Sequence, residues 1–150
     1  MDTPAFRNEP DPDHPGWLSW ELIDERRFNG QVLGKMLVRR DSDTVARLRM
    51  FPELKHSNLS NNVHGGVTLA FIDVALFGAS RMFGLIEAGT AVTLDLSTQF
   101  IGSGKIDTPL DAEVELLRET GRLLFLRGIV MQGDNRIAAF AGTIRKPTKR

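Results

Sequence analysis

From Gly65 to Met82 the chain reads Gly-Gly-Val-Thr-Leu-Ala-Phe-Ile-Asp-Val-Ala-Leu-Phe-Gly-Ala-Ser-Arg-Met. Between Val67 and Phe77 it is apolar nearly all round, the mark of a helix buried on every side. A polar stretch ending in His64-Gly65-Gly66 opens the segment, and Gly84 stands where a C-terminal cap belongs. The pattern predicts a central helix of roughly 27 Å, at 1.5 Å per residue. Such a helix cannot stand alone in water, so the rest of the chain must enclose it. Asp73 is the one acidic residue within it.

The flanking sequence supplies the enclosure. Residues 32–40 and 44–50 read as two strands joined by Asp41-Ser42-Asp43, a hairpin. The second strand alternates Ala46, Leu48 and Met50 against Arg47 and Arg49, which read as a solvated face. Four more strands follow the helix, at about 91–101, 111–119, 122–132 and 136–145, with Gly-containing turns after the first three. The third of these is apolar on both faces and suits a central position in a sheet. One long apolar helix with about six antiparallel strands gives an α+β architecture in which the sheet curls around the helix.

A length of 150 residues predicts one domain, large enough to bury roughly 70% of its unfolded surface. Residues 1–16 carry Pro4, Pro10, Pro12 and Pro15 among polar neighbours and read as a flexible or loosely docked arm, leaving 17–150 as the domain. Trp17, Leu18, Trp20, Leu22 and Ile23 suggest a short element covering one edge of the core. Lys+Arg and Asp+Glu balance at 19 each, so no broad electrostatic grip on nucleic acid or membrane is expected. The absence of cysteine excludes disulfides and thiolate chemistry. No signal peptide is visible, and Asp73, Ser80 and Arg81 interrupt the best apolar run. The expectation is a soluble, cytoplasmic protein. His14, His56 and His64 occur without HExxH spacing, so no metal site is expected.

Two features suggest chemistry. Asp73 has Leu69, Ala70, Leu76 and Phe77 as its helical neighbours, a setting that solvates a carboxylate poorly. It is either a bonded structural residue or a reactive one. Gly65 and Gly66, at a helix start, offer backbone N–H groups that a ligand can approach closely, with the helix dipole behind them. That arrangement holds a polarised carbonyl or oxyanion, although a tight turn also favours glycine. Gly65 and Asp73 lie eight residues apart, about 12 Å along the axis. If both serve one reaction, they must come from two copies of the chain, as in a two-fold dimer with two equivalent sites.

The run His56-x-Asn58, then His64-Gly65-Gly66, then Asp73 resembles the hotdog-fold acyl-CoA thioesterases, in particular the phenylacetate-pathway and 4-hydroxybenzoyl-CoA thioesterase-like group. The resemblance spans roughly residues 32–145. It implies the sheet-wrapped helix inferred above, and active sites between subunits of a homodimer or homotetramer. It also implies hydrolysis of an acyl-CoA thioester to a free acid and CoA, with no cofactor beyond the CoA of the substrate. On that resemblance Gly65 would donate its N–H to the thioester carbonyl. Asn58 would position the thioester or the attacking water, and Asp73 would be general base or nucleophile. His64 and Gly66 would shape the substrate-binding turn, and Thr93 would occupy the place of a small hydroxyl residue that holds water.

This chain departs from the group at three places: Asn61 stands where glycine is usual, Leu59 where proline is common, and Thr93 where serine is frequent. Asn tolerates left-handed geometry, so the turn can form. The alternative reading is a non-catalytic acyl-CoA binding or sensing module on the same fold. A hotdog dehydratase fits less well, since its His-containing motif is not evident. Phe71, Phe77, Met82 and Phe83 suggest a medium-length or aromatic acyl group.

Overall fold

The computed structural model describes residues 5–87 and 91–147. In chain order they form β1 (Phe6–Arg7), β2 (Leu18–Ser19), β3 (Glu21–Leu22), a π turn (Asn29–Leu33), β4 (Met36–Arg40) and β5 (Val45–Met50). A 3-10 turn (Leu54–His56), α1 (Gly65–Met82), β6 (Val92–Phe100), β7 (Leu110–Glu119), β8 (Leu123–Gln132) and β9 (Asn135–Arg145) follow. Seven strands make one sheet in the order β2-β4-β5-β7-β8-β9-β6, every pair antiparallel. The six long strands and the helix lie where the sequence patterns place them, except that the first strand begins at Met36. Gly34, at φ 76, breaks the chain before it.

The sheet wraps α1. Phe71, Ile72, Ala75, Leu76 and Ala79 are fully buried against Leu48, Met50, Val114, Leu124, Leu126 and Ile144 from the strands. By length and apolarity alone α1 would qualify as a membrane span; it is not buried on every side as its apolarity suggests, because the sheet covers one face and leaves Gly66 and Leu69 exposed. The wrap is tight at Gly142 of β9, where a Cβ would lie 2.6 Å from Leu76 Cδ1. The helix ends in a Schellman motif: Gly84 takes φ 74, its N–H donates to Arg81 O, and Leu85 N–H donates to Ser80 O.

The arm expected at residues 1–16 is docked over its described part, while residues 1–4 lie outside the described residues. Phe6 and Arg7 pair with Leu22 and Glu21, and Ser19 joins Glu9 through two hydrogen bonds. Asp11 binds Lys35 and His14, each at 2.9 Å. Composition does not register these non-local partners. Leu18–Ser19 pairs with β4 and so covers that edge of the sheet. Arg47 and Arg49, expected on a solvated face, are instead paired: Arg49 forks onto buried Asp111, and Arg47 reaches Asp111 and Glu113. The guanidinium carbons of Arg39 and Arg49 each lie 4.6 Å from the centroid of the Trp17 ring.

The opposite edge is different. β6 pairs only with β9, and its outward side has no partner among the described residues. Val92, Leu94, Phe100 and the adjoining Ile101 are exposed there. An unpaired nine-residue edge bearing apolar side chains is a template for further strand pairing.

Candidate active site

The loop before α1 is built by its own polar side chains. Asn58 Oδ1 accepts from the N–H groups of Ser60 and Asn62, closing a turn in which Asn61 sits at φ 60. The substitution of Asn for the usual glycine therefore keeps the left-handed turn. His56 is fully buried; its Nδ1 accepts from Glu53 N–H while Nε2–H donates to Val32 O at 2.6 Å. His64 is the N-cap of α1, its Nδ1 accepting from Gly66 N–H at 2.9 Å.

That cap satisfies the second glycine and leaves the first. Among the described residues no acceptor meets Gly65 N–H, the first amide of the helix. A Cβ at Gly65 would make ordinary contact, 3.6 Å, with the Phe100 ring at the far end of β6. An unpaired helix-start amide with the positive end of the dipole behind it favours an oxygen that carries or develops negative charge.

Asp73 lies two turns further along α1 and is partly buried. Thr93 Oγ1–H, at the start of β6, donates to Asp73 Oδ1 at 2.7 Å. No described donor reaches Oδ2. Asp73 opens onto a cavity of about 290 Å³ lined by Val74, Phe77 and Arg81 of α1 and by Phe6, Trp20 and Ile86. Phe71, a candidate for the acyl pocket by its sequence, belongs to the core, because its position on α1 faces the sheet. Phe77 does line the cavity. Phe6, Trp20 and Arg81 are lining residues that the sequence reading missed. The four-residue spacing of Asp73, Phe77 and Arg81 puts them on one helical stripe, a signal available in advance. Nothing local marks Phe6 or Trp20. A larger groove of about 900 Å³, edged by Arg122, Arg145 and Lys146, touches neither Asp73 nor Gly65.

The proposed groups thus form two clusters on one continuous helix. Asp73 and Thr93 meet; Asn58, His64, Gly65 and Gly66 gather at the helix start. Eight residues of straight helix keep Gly65 and Asp73 about 12 Å apart along the axis. Among the described residues, no group of three or more His, Asp and Glu side chains is arranged to hold a metal ion.

A sheet-wrapped helix is the architecture of the hotdog thioesterases. A profile of the thioesterase superfamily matches residues 60–139, and the chain belongs to that superfamily. A Pseudomonas aeruginosa protein provisionally named as an esterase is 24% identical over 93% of this chain and 98% of its own length. Similar solved structures include mouse thioesterase superfamily member 2 (TM-score 0.64, 20% identity, 77% of this chain and 84% of that one). They also include the Escherichia coli PaaI protein of the phenylacetic acid degradation operon (0.66, 18%, 79% and 83%). A third is a hypothetical thioesterase of Streptococcus pneumoniae solved with coenzyme A (0.66, 16%, 77% and 88%). Membership supports thioester hydrolysis as the general class of chemistry.

Proposed function

We propose that this protein hydrolyses an acyl-CoA thioester to the free carboxylic acid and CoA at two equivalent sites of a homodimer. The observation that carries the reading is the path of β6. Its Thr93 end is bonded to Asp73, and its Phe100 end packs beside Gly65. Antiparallel pairing of this open edge with its own copy, centred on Ser97, would set the bulge at Thr93–Leu94 opposite Phe100 of the partner subunit. Asp73 would then approach the partner's Gly65, across the 12 Å that one helix cannot close. The apolar exposure of β6 supports such pairing. The Streptococcus pneumoniae structure with coenzyme A supports a CoA thioester as the substrate class.

In this reading the thioester carbonyl accepts a hydrogen bond from the partner's Gly65 N–H, which becomes stronger as the oxygen gains charge. Thr93 occupies Asp73 Oδ1, leaving Oδ2 to take a proton from the attacking water. Water oxygen bonds to the carbonyl carbon, the C–S bond breaks, and the proton passes to the departing CoA sulfur. Asn58 holds the loop that presents Gly65, with its side-chain amide available to the thioester.

Thiol release from a panel of acyl-CoAs tests the reading. Wild-type protein should release CoA, and Asp73→Asn, equal in size but without the base, should abolish release while the dimer persists. Undiminished turnover in Asp73→Asn would remove Asp73 from the chemistry. Binding of the panel without release by wild-type protein would favour the non-catalytic module.

A further inference from the structure

The docked N-terminal segment sends one side chain to the cavity beside Asp73. The cavity is walled chiefly by apolar groups: Val74 and Phe77 of α1, Ile86 and Ala91 from the chain after the helix, and Phe6 and Trp20 from the chain before β4. Phe6 belongs to β1, which pairs only with β3 in a two-stranded sheet apart from the main one. It packs on the rim of the main core rather than within it.

Strand geometry aims its ring at the helix. Neighbouring side chains of a strand point to opposite faces. Arg7, with 52% of its side chain exposed, turns outward and reaches Glu21 at 3.7 Å. Phe6 therefore turns the other way, onto α1, where its ring centroid lies 4.7 Å from the Arg81 guanidinium carbon. The Trp20 ring centroid is 4.8 Å from the same ring. Both contacts are with residues that line the cavity, and Phe6 itself is only half-buried. The backbone on either side is fixed. Ile23 N–H donates to Ala5 O at 3.0 Å, Ser19 Oγ–H to Arg7 O at 3.3 Å, and Glu9 N–H to Ser19 Oγ at 3.0 Å.

The amides and phosphates of a CoA arm need polar partners, and the basic side chains of Arg122, Arg145 and Lys146 edge a different groove. A largely apolar wall that begins at the proposed base suits the hydrocarbon of an acyl group. On the reading of Asp73 as the hydrolytic base, we infer that Phe6 forms part of the acyl pocket and sets the acyl length that the protein prefers. The N-terminal segment thereby contributes to specificity as well as to the fold. Phe6 takes no part in bond breaking.

Thiol release from straight-chain acyl-CoAs, acetyl to dodecanoyl, gives the wild-type optimum. Phe6→Ala should raise kcat/KM for the next longer even-chain homologue, relative to that optimum, by about tenfold or more, since a pocket discriminates one methylene by roughly 10–200-fold. Phe6→Leu, which keeps an apolar side chain on β1, should give a smaller rise in the same direction. Inhibition by free CoA should be the same in wild-type and variant proteins. An unchanged length profile in both variants would overturn the inference and leave the hydrolase reading intact. An equal fall across the whole series would overturn it too, assigning the ring to packing, or to the CoA arm if inhibition by free CoA weakens in parallel. If wild-type protein cleaves no member, the hydrolase reading fails on its own, and dissociation constants of the same series decide. A shift of the tightest-bound length to longer chains in Phe6→Ala supports the inference; an identical profile overturns it.

Discussion

Thr93 Oγ1 donates a hydrogen bond of 2.7 Å to Asp73 Oδ1 and thereby ties the middle of the central helix to the start of the open edge strand. The bond fixes which carboxylate oxygen stays available and anchors Asp73 to the strand that would carry the proposed dimer contact. Hydrogen bonds to charged groups contribute about 1.5–3 kcal/mol. Thr93→Val should therefore lower kcat by about tenfold to a hundredfold with KM little changed, and Thr93→Ser should stay close to wild type. Steady-state thiol release decides. An unaltered kcat in Thr93→Val would show that the orientation of Asp73 is set elsewhere.

Gly142 tests the packing that puts α1 in place. A Cβ there would meet Leu76 Cδ1 at 2.6 Å, with Asp95 O at 3.3 Å, and Leu76 is fully buried, so its side chain has to shift within the core. Overpacking of this kind costs about 1–3 kcal/mol. Gly142→Ala should lower the midpoint of thermal unfolding by about 2–4 °C for each kcal/mol lost, measured by calorimetry. No change would mean that helix and sheet separate more easily than their contacts indicate.

The docked N-terminal segment carries a pH signature. Hydrogen bonds from His14 and then Lys35 lower the Asp11 carboxyl to about 2 from its ordinary 3.8. A carboxyl whose folded value is depressed stabilises the fold fully above the unfolded value and loses that contribution as pH falls through the folded one. Protection of residues 5–16 from hydrogen exchange should therefore decline as pH drops from about 4 toward 2, after correction for the intrinsic exchange rate. Asp11→Asn should show the weaker protection already at neutral pH. Equal protection in the two proteins would release Asp11 from this role.

Much of this was legible in the sequence because it is local. The apolar run around Asp73, the strict alternation at residues 44–50 and the Gly84 cap are near-neighbour patterns, and the structure follows them. The helical spacing of Gly65 and Asp73 was equally local and already required a second chain for a shared site. What escaped was non-local. The Asp11–Lys35 pair, Trp17 against Arg39 and Arg49, and Phe6 stacked on Arg81 each depend on partners far away in the chain. Arg81 shows the difference well: as sequence it interrupts an apolar run, while in the fold it lines the same cavity as Asp73.

The central claim is that each site takes its acid from one protomer and its amide from the other, and mixing two inactive variants tests it most directly. Gly65 is the first residue of α1 after an extended His64, a position where proline fits a helix and deletes only the N–H. Asp73→Asn and Gly65→Pro should each be inactive alone, whereas Gly65→Ala, which keeps the N–H, should retain turnover. After the two inactive proteins are unfolded together and refolded at equal concentration, half of the dimers are mixed and each has one intact site of two. Thiol release should return to about a quarter of the wild-type rate. Release no higher than the sum of the separate variants, with mixed dimers demonstrated by mass, would contradict a site shared between protomers.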